Sequence, residues 1–229
     1  GVRQGAILSP CLFCVYLDTL LTKLRESGLG CQIGGLYFGA FGYADDVILL
    51  SPSRESLQLM LDICQEFAIE HSMQFSTDPD PKKSKTKCLL FTLKKRDVKP
   101  LKLNGDDLPW VEKALHLGNH LTTEISKTQL QMNTSSDLLQ KRAIFFKNVH
   151  ELKQAYGFYE PKVICEIIRI FGTSFYGSLI WDLKSYECQK LIRSWNVAVK
   201  ILWDLPYQTH TMFVEALTEC PHLQSVFHS

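Results

Sequence analysis

Two adjacent carboxylates, Asp45 and Asp46, stand between two apolar runs. Leu36-Tyr37-Phe38-Gly39-Ala40-Phe41-Gly42 leads in through Tyr43-Ala44, and Val47-Ile48-Leu49-Leu50 follows at once. Short apolar runs separated by a few polar residues fold as a β-hairpin, so residues 36–51 are expected to carry both acids at a hairpin tip. Like charges side by side repel. Keeping both ionised at one bend favours a bound divalent cation, the device of phosphoryl-transfer sites whose two metals lie about 3.5–4 Å apart. An all-oxygen ligand set suits Mg²⁺ rather than zinc. Taken alone, an Asp-Asp pair also suits an ordinary solvated turn, so the neighbouring segments decide between the two.

Upstream, Ser9-Pro10 reads as a helix start, a hydroxyl cap followed by proline in the first turn. Leu12, Phe13, Tyr16, Leu17, Leu20, Leu21 and Leu24 then recur at helical spacing, with Gly28 as the stop. Ahead of this helix, Gln4 and Gly5 sit in a Gly-x-x-Gln-Gly loop whose free amides suit a phosphate or a base edge, although Gly-rich turns before helices are common. Downstream, Ser53 caps a second helix with Glu55 in its first turn and Leu57, Leu61, Cys64 and Ala68 on one face. Thr77-Asp78-Pro79-Asp80-Pro81 is a loop. Residues 88–93 are expected as a strand, residues 101–108 as a hairpin turning at Asn104-Gly105, and residues 116–121 as a further strand.

From about Ile125 the pattern becomes helical, with helices expected over residues 136–153, 161–171, 185–203 and near 211–219. The expected class is therefore α+β: helices on an antiparallel sheet over residues 1–125, then an all-α region over residues 126–229. Trp181, Trp195 and Trp203 are expected in the core rather than as base-stacking platforms.

At 229 residues the chain holds one large or two small domains. A formal charge of +1 argues mildly against a stand-alone nucleic-acid binder. The distribution argues the other way: Lys82, Lys83, Lys85, Lys87, Lys94, Lys95, Arg96, Lys99 and Lys102 cluster with Asp97 as their one acid, a stretch that suits either a phosphate backbone or a solvated face. Lys141, Arg142, Lys147 and Lys153 pose the same alternative within one expected helix. Eight cysteines in a chain this long do not make a disulfide scaffold. Cys11 and Cys14 form a C-x-x-C without a second pair, better read as core helix than as a zinc or redox site. His116 and His120 complete no zinc ligand set. No run of about 20 apolar residues suggests a membrane helix.

Taken together and in this order, the segments resemble reverse transcriptases of non-LTR (LINE-type) retrotransposons. Gly1-Val2-Arg3-Gln4-Gly5-Ala6-Ile7-Leu8-Ser9-Pro10 is similar to that family's motif B, and Phe41-Gly42-Tyr43-Ala44-Asp45-Asp46-Val47 to motif C. Lys85-Thr86-Lys87-Cys88-Leu89-Leu90-Phe91 resembles the lysine-bearing motif D, and His116-Leu117-Gly118-Asn119-His120-Leu121-Thr122 resembles motif E, the primer grip. Phe175-Tyr176-Gly177-Ser178 and Trp195-Asn196 resemble the helical region after the palm more loosely. The resemblance implies a polymerase palm followed by a thumb-like region. RNA template, DNA primer and deoxynucleoside triphosphates are the implied partners, within the cell, in cytoplasm or nucleus.

The resemblance also implies roles. Asp45 is the principal metal ligand and Asp46 its supplement, holding two Mg²⁺ ions in the complete enzyme. Tyr43 lies near the primer strand, and Gln4 and Gly5 shape the pocket for the nascent base pair. Lys85, with Lys83 and Lys87 as neighbouring alternatives, serves the pyrophosphate leaving group. His116, Leu117 and Gly118 position the primer terminus. Motif A, whose aspartate completes the metal site in this family, precedes motif B; a chain starting at motif B is expected to lack the fingers and that acid, to bind Mg²⁺ weakly and not to polymerise alone, Asp18 being a poor substitute because it lies within a helix. Two other readings remain: a non-catalytic nucleic-acid-binding remnant, and a protein-interaction domain with no nucleic acid.

Overall fold

The computed structural model describes residues 7–78, 80, 83–93, 97–125, 133–157, 160–172, 177–220 and 223. The chain parts into two compact units, Gly1–Val111 and Glu112–Ser229.

In the first unit, helix α1 spans Ser9–Glu26, and Leu8 rather than Ser9 occupies the cap position. Ser9 and Pro10 thus both fall within the first turn. Gly28 ends the helix as expected, at φ +70° with its amide donating to the Arg25 carbonyl. The chain then makes a small hairpin from β1 (Gln32–Ile33) and β2 (Leu36–Tyr37), turning at Gly34-Gly35, where both φ values are positive. The expected long strand from residue 36 therefore does not form, because Leu36 and Tyr37 pair backwards instead. The acid-bearing hairpin begins later, with β3 (Ala40–Tyr43) and β4 (Asp46–Leu49).

Ser53 accepts from the Ser56 amide at 3.2 Å and opens α2 (Arg54–Glu70), as expected. The expected strand over residues 88–93 is reduced to a single parallel bridge between Cys88 and Trp110. Hairpin β5 (Leu101–Leu103) and β6 (Asp106–Leu108) turns at Asn104-Gly105, both at positive φ, as a two-residue loop of this type requires.

Helix α2 is the centre of this unit. Met60, Cys64 and Phe67 pack with Leu17, Leu20 and Leu24 of α1, and Ala40, Val47 and Leu49 close over them. Its other side meets Leu101, Leu103 and Leu108 through Leu61. The open edge of β5 is covered by side chains of α2: Gln58 accepts from the Lys102 amide at 2.8 Å and donates to its carbonyl at 2.9 Å, and Gln65 accepts from the Asn104 amide. An edge strand left bare is a template for wrong pairing, so this cover has a physical purpose.

The second unit opens with a hairpin, β7 (Lys113–His116) and β8 (Asn119–Thr122), where one strand over residues 116–121 was expected. Helix α3 spans Ser135–Tyr156. Its Asp137 is buried, accepting from the His120 amide at 3.2 Å and the Trp181 indole at 3.0 Å, which fixes β8 and Trp181 against α3. Helix α4 (Pro161–Ile167) runs into a wide π-helical turn, Ile168–Gly172. A short 3₁₀ turn covers Ser178–Ile180, then come α5 (Tyr186–Leu202), capped by Ser185, and α6 (Thr211–Thr218). Phe145, Val149, Ile164, Leu191, Trp195 and Val199 form the core. Trp181 and Trp195 are buried in it and Trp203 packs against it, as expected.

The class is α+β, with helices throughout and strands paired only as hairpins among the described residues. No described helix is long and apolar enough to cross a membrane.

Candidate active site

Hairpin register fixes where each acid lies. Tyr43 pairs with Asp46, Gly42 with Val47, Phe41 with Ile48 and Ala40 with Leu49, so Ala44 and Asp45 form a two-residue turn. Side chains alternate across a strand. Ala40, Val47 and Leu49 turn towards the core; Phe41, Tyr43, Asp46 and Ile48 therefore share the opposite face. Phe41 and Tyr43 are exposed, Tyr43 at 65%. Asp45 and Asp46 are exposed too, and neither takes part in an ion pair among the described residues. The tip thus presents two carboxylates, free of cationic partners among the described residues, beside an exposed aromatic ring.

Two backbone features hold that tip. Ala44 has φ +51°, a left-handed conformation that costs an L-residue about 1–2 kcal/mol and persists where the surroundings impose it. Gly42 lies directly beneath α1: a Cβ there would come within 3.0 Å of Leu17 Cδ2 and 3.1 Å of Leu21 Cδ1. The absent side chain lets the helix rest on the hairpin. At the far end Gly30, at φ +97°, crosses Gly39 so closely that a Cβ would stand 2.8 Å from the Gly39 Cα. The Leu50 amide donates to the Gly39 carbonyl at 2.7 Å, extending the ladder by one step. Sequence reading missed this crossing; the two glycines at its contact point were its only signal.

The donor set fits a hard divalent cation, with oxygen ligands only and adjacent. Among the described residues no third His, Cys, Asp or Glu joins them to form a ligand cluster, and Asp18 in α1 does not do so.

Lys85 lies in the same unit, exposed in the segment between α2 and β5, and Lys83, Lys87 and Lys99 are likewise exposed. Lys102 stands 4.0 Å from Asp107 across the β5–β6 ladder. Lys82, Lys94, Lys95 and Arg96 lie outside the described residues, as do Gln4, Gly5, Phe175 and Tyr176. In the second unit, His116 pairs with Asn119 around the Leu117-Gly118 turn, both of whose φ values are positive, at +47° and +75°. The three expected primer-contacting residues therefore share one hairpin tip.

The basic residues of α3 each have a partner within the second unit. Lys141 donates to the Gly118 carbonyl at 3.2 Å, and Arg142 donates to Ser194 at 2.7 Å while its guanidinium covers the Phe146 ring. Lys147 pairs with Glu151, and Lys153 holds Asp204 and the Ile201 carbonyl. Cys11 and Cys14 lie on α1 but are exposed, correcting the expectation of core cysteines: the core side of α1 is the Leu17-Leu20-Leu24 face.

A sequence model of the reverse transcriptase (RNA-dependent DNA polymerase) family matches residues 1–118, which contain the acid-bearing tip, Lys85 and the His116–Gly118 turn. The chain belongs to the reverse transcriptase family. Two curated relatives agree. The Retrovirus-related Pol polyprotein from type-1 retrotransposable element R2 of Nasonia vitripennis is 35% identical over 99 residues, covering 43% of this chain and 9% of that protein. The Retrovirus-related Pol polyprotein from type-2 retrotransposable element R2DM of Drosophila melanogaster is 36% identical over 78 residues, covering 34% of this chain and 7% of that protein. The matches thus span less than a tenth of each relative's length. Reverse transcriptases generally use divalent metal ions and act on nucleic acids and nucleotides, in keeping with the exposed carboxylate pair at the tip of β3–β4.

Proposed function

We propose that this chain contributes the catalytic carboxylates of an RNA-directed DNA polymerase of a non-LTR retrotransposon, one that extends a DNA primer along an RNA template with deoxynucleoside triphosphates. The observation that carries the reading is the pairing of Asp45 and Asp46, exposed and without cationic partners among the described residues, at the β3–β4 tip inside the family-matched segment. Asp45 and Asp46 would hold Mg²⁺, two ions in the complete enzyme. The bound ions supply charge neutralisation at the primer 3′ hydroxyl and the triphosphate.

The chain's own residues do the positioning. Gly42 lets α1 bear on the hairpin, so the acids sit at the tip of a braced strand pair. Tyr43 shares its face with Asp46 and offers an exposed ring beside the primer strand. Lys85 offers a proton or a hydrogen bond to the leaving pyrophosphate. His116, Leu117 and Gly118 position the primer end. Gln4 and Gly5 border the nascent base pair.

The test is primer extension on an RNA template in Mg²⁺ by a polymerase containing this chain. Asp45→Asn is expected to slow extension by on the order of a hundredfold to a thousandfold, several kcal/mol of lost charge stabilisation. Extension at the unchanged rate would overturn the reading. Salt-sensitive binding of an RNA–DNA hybrid, with no extension from any polymerase containing the chain, would instead identify a nucleic-acid-binding remnant.

A further inference from the structure

Cys165 lies on α4 and Cys220 just beyond α6, far apart in sequence, and both are buried. They line one small cavity of about 160 Å³, together with Lys162, Glu219 and Trp195. Cys220 also lines a second cavity, of about 290 Å³, between α5 and α6, so a small solute has room to approach its sulfur.

Two observations place the two cysteines side by side. Both line the same cavity, and the thiol–thiol interaction there raises the pKa of Cys165 and lowers that of Cys220. One turn before Cys165, Lys162 forms a 2.6 Å ion pair with Glu219, the neighbour of Cys220, clamping the two segments side by side. Cys220 opens on two cavities and faces a second thiol, unlike an inert core thiol such as Cys64.

We propose that Cys165 and Cys220 form a reversible disulfide when the chain meets a peroxide-class oxidant, tying α4 to the end of α6. The Cys220 thiolate attacks a peroxide oxygen and becomes a sulfenic acid as the O–O bond breaks and hydroxide leaves. The Cys165 sulfur then bonds to Cys220, displacing water. Each sulfur loses one electron, the thiol protons end in water, and one hydrogen peroxide is reduced to water. The product closes the long segment from α4 through α5 and α6 into a loop. Such a link stabilises the fold by restricting the unfolded chain, and thiol reductants reverse it.

The experiment is a titration of the whole chain with hydrogen peroxide, with cysteine connectivity mapped by mass spectrometry. The expected result is loss of two thiols per chain, recovered as one peptide pair linking Cys165 to Cys220 and released by dithiothreitol. The thermal midpoint should rise on oxidation in the natural chain and stay unchanged in Cys165→Ser. The proposal is overturned if Cys220 oxidises without a link to Cys165, or if exposed Cys11 and Cys14 oxidise while Cys165 and Cys220 remain reduced. The peptide map of the natural chain decides the matter even if the serine variant fails to fold.

Discussion

Ala44 connects the chemistry to the backbone. Its φ of +51° sits between the aromatic Tyr43 and the first acid, where glycine would be free of strain. Ala44→Gly is expected to leave the fold at least as stable, the relief of about 1–2 kcal/mol being offset by roughly 0.5–1 kcal/mol of lost unfolded-state restriction. Ala44→Val should destabilise, because a β-branched residue tolerates that conformation worst. Equilibrium denaturant melts of both variants check this. A second residue-scale outcome concerns pH. Burial pushes the Cys64 thiol from its ordinary 9.0 up to about 12. In that window the unfolded chain loses the proton while the folded chain keeps it, so folding binds more protons and stability falls as pH rises. The contribution is fully present below about 9 and lost towards about 12. Melts across that range should show a shallower decline in Cys64→Ala. The placement of both acids at a hairpin tip was legible in the sequence, because apolar runs on either side forced a turn between those runs. The exposure of Cys11 and Cys14 was not. Leu12, Val15 and Tyr16 of α1 are exposed as well, so apolar residues circle the start of this helix and periodicity alone does not say which side the core takes.

At the scale of elements, the site depends on α1 resting on β3. Gly42→Val places branched carbons where a single Cβ already meets Leu17 and Leu21 at 3.0–3.1 Å. Overpacking of this kind costs about 1–3 kcal/mol, and a lower thermal midpoint together with weaker metal binding at the tip is expected. Gln58 gives a separate test: Gln58→Ala removes both its hydrogen bonds to Lys102 at the β5 edge and should cost about 1–2 kcal/mol in denaturant melts. The two long helices of the first unit were legible because each joins a stop or cap signal to a regular apolar face. The short hairpins were harder. Gly34-Gly35 carried a turn signal, but the apolar run after it reads equally well as one long strand. The run after Lys87 reads as a strand, yet it finds a ladder partner only at Trp110. A run of apolar residues reports burial; a strand also needs a neighbour.

On the scale of the whole molecule, the chain's near-neutral charge conceals an uneven distribution. Lys83, Lys85, Lys87 and Lys99 are exposed in the first unit, while the basic residues of α3 are engaged within the second. Affinity for an RNA–DNA hybrid is therefore expected to weaken steeply with salt, and neutralising Lys83, Lys85 and Lys87 should flatten that dependence more than neutralising Lys141 and Lys147. Binding isotherms at two salt concentrations check it. Family membership was legible from motif order alone, since no single motif carries it. The change from strands to helices was legible as well, but the β7–β8 hairpin groups with the helices after it in the second compact unit, a placement set by its Asp137 and α3 contacts rather than by any local propensity.

The central claim is that Asp45 and Asp46 hold a divalent cation, and Mn²⁺ titration followed by amide NMR tests it most directly. Paramagnetic broadening should centre on Tyr43–Val47, be reversed by excess Mg²⁺, and vanish in Asp45→Asn with Asp46→Asn. Broadening centred elsewhere in the chain, or unchanged by those two substitutions, would contradict it.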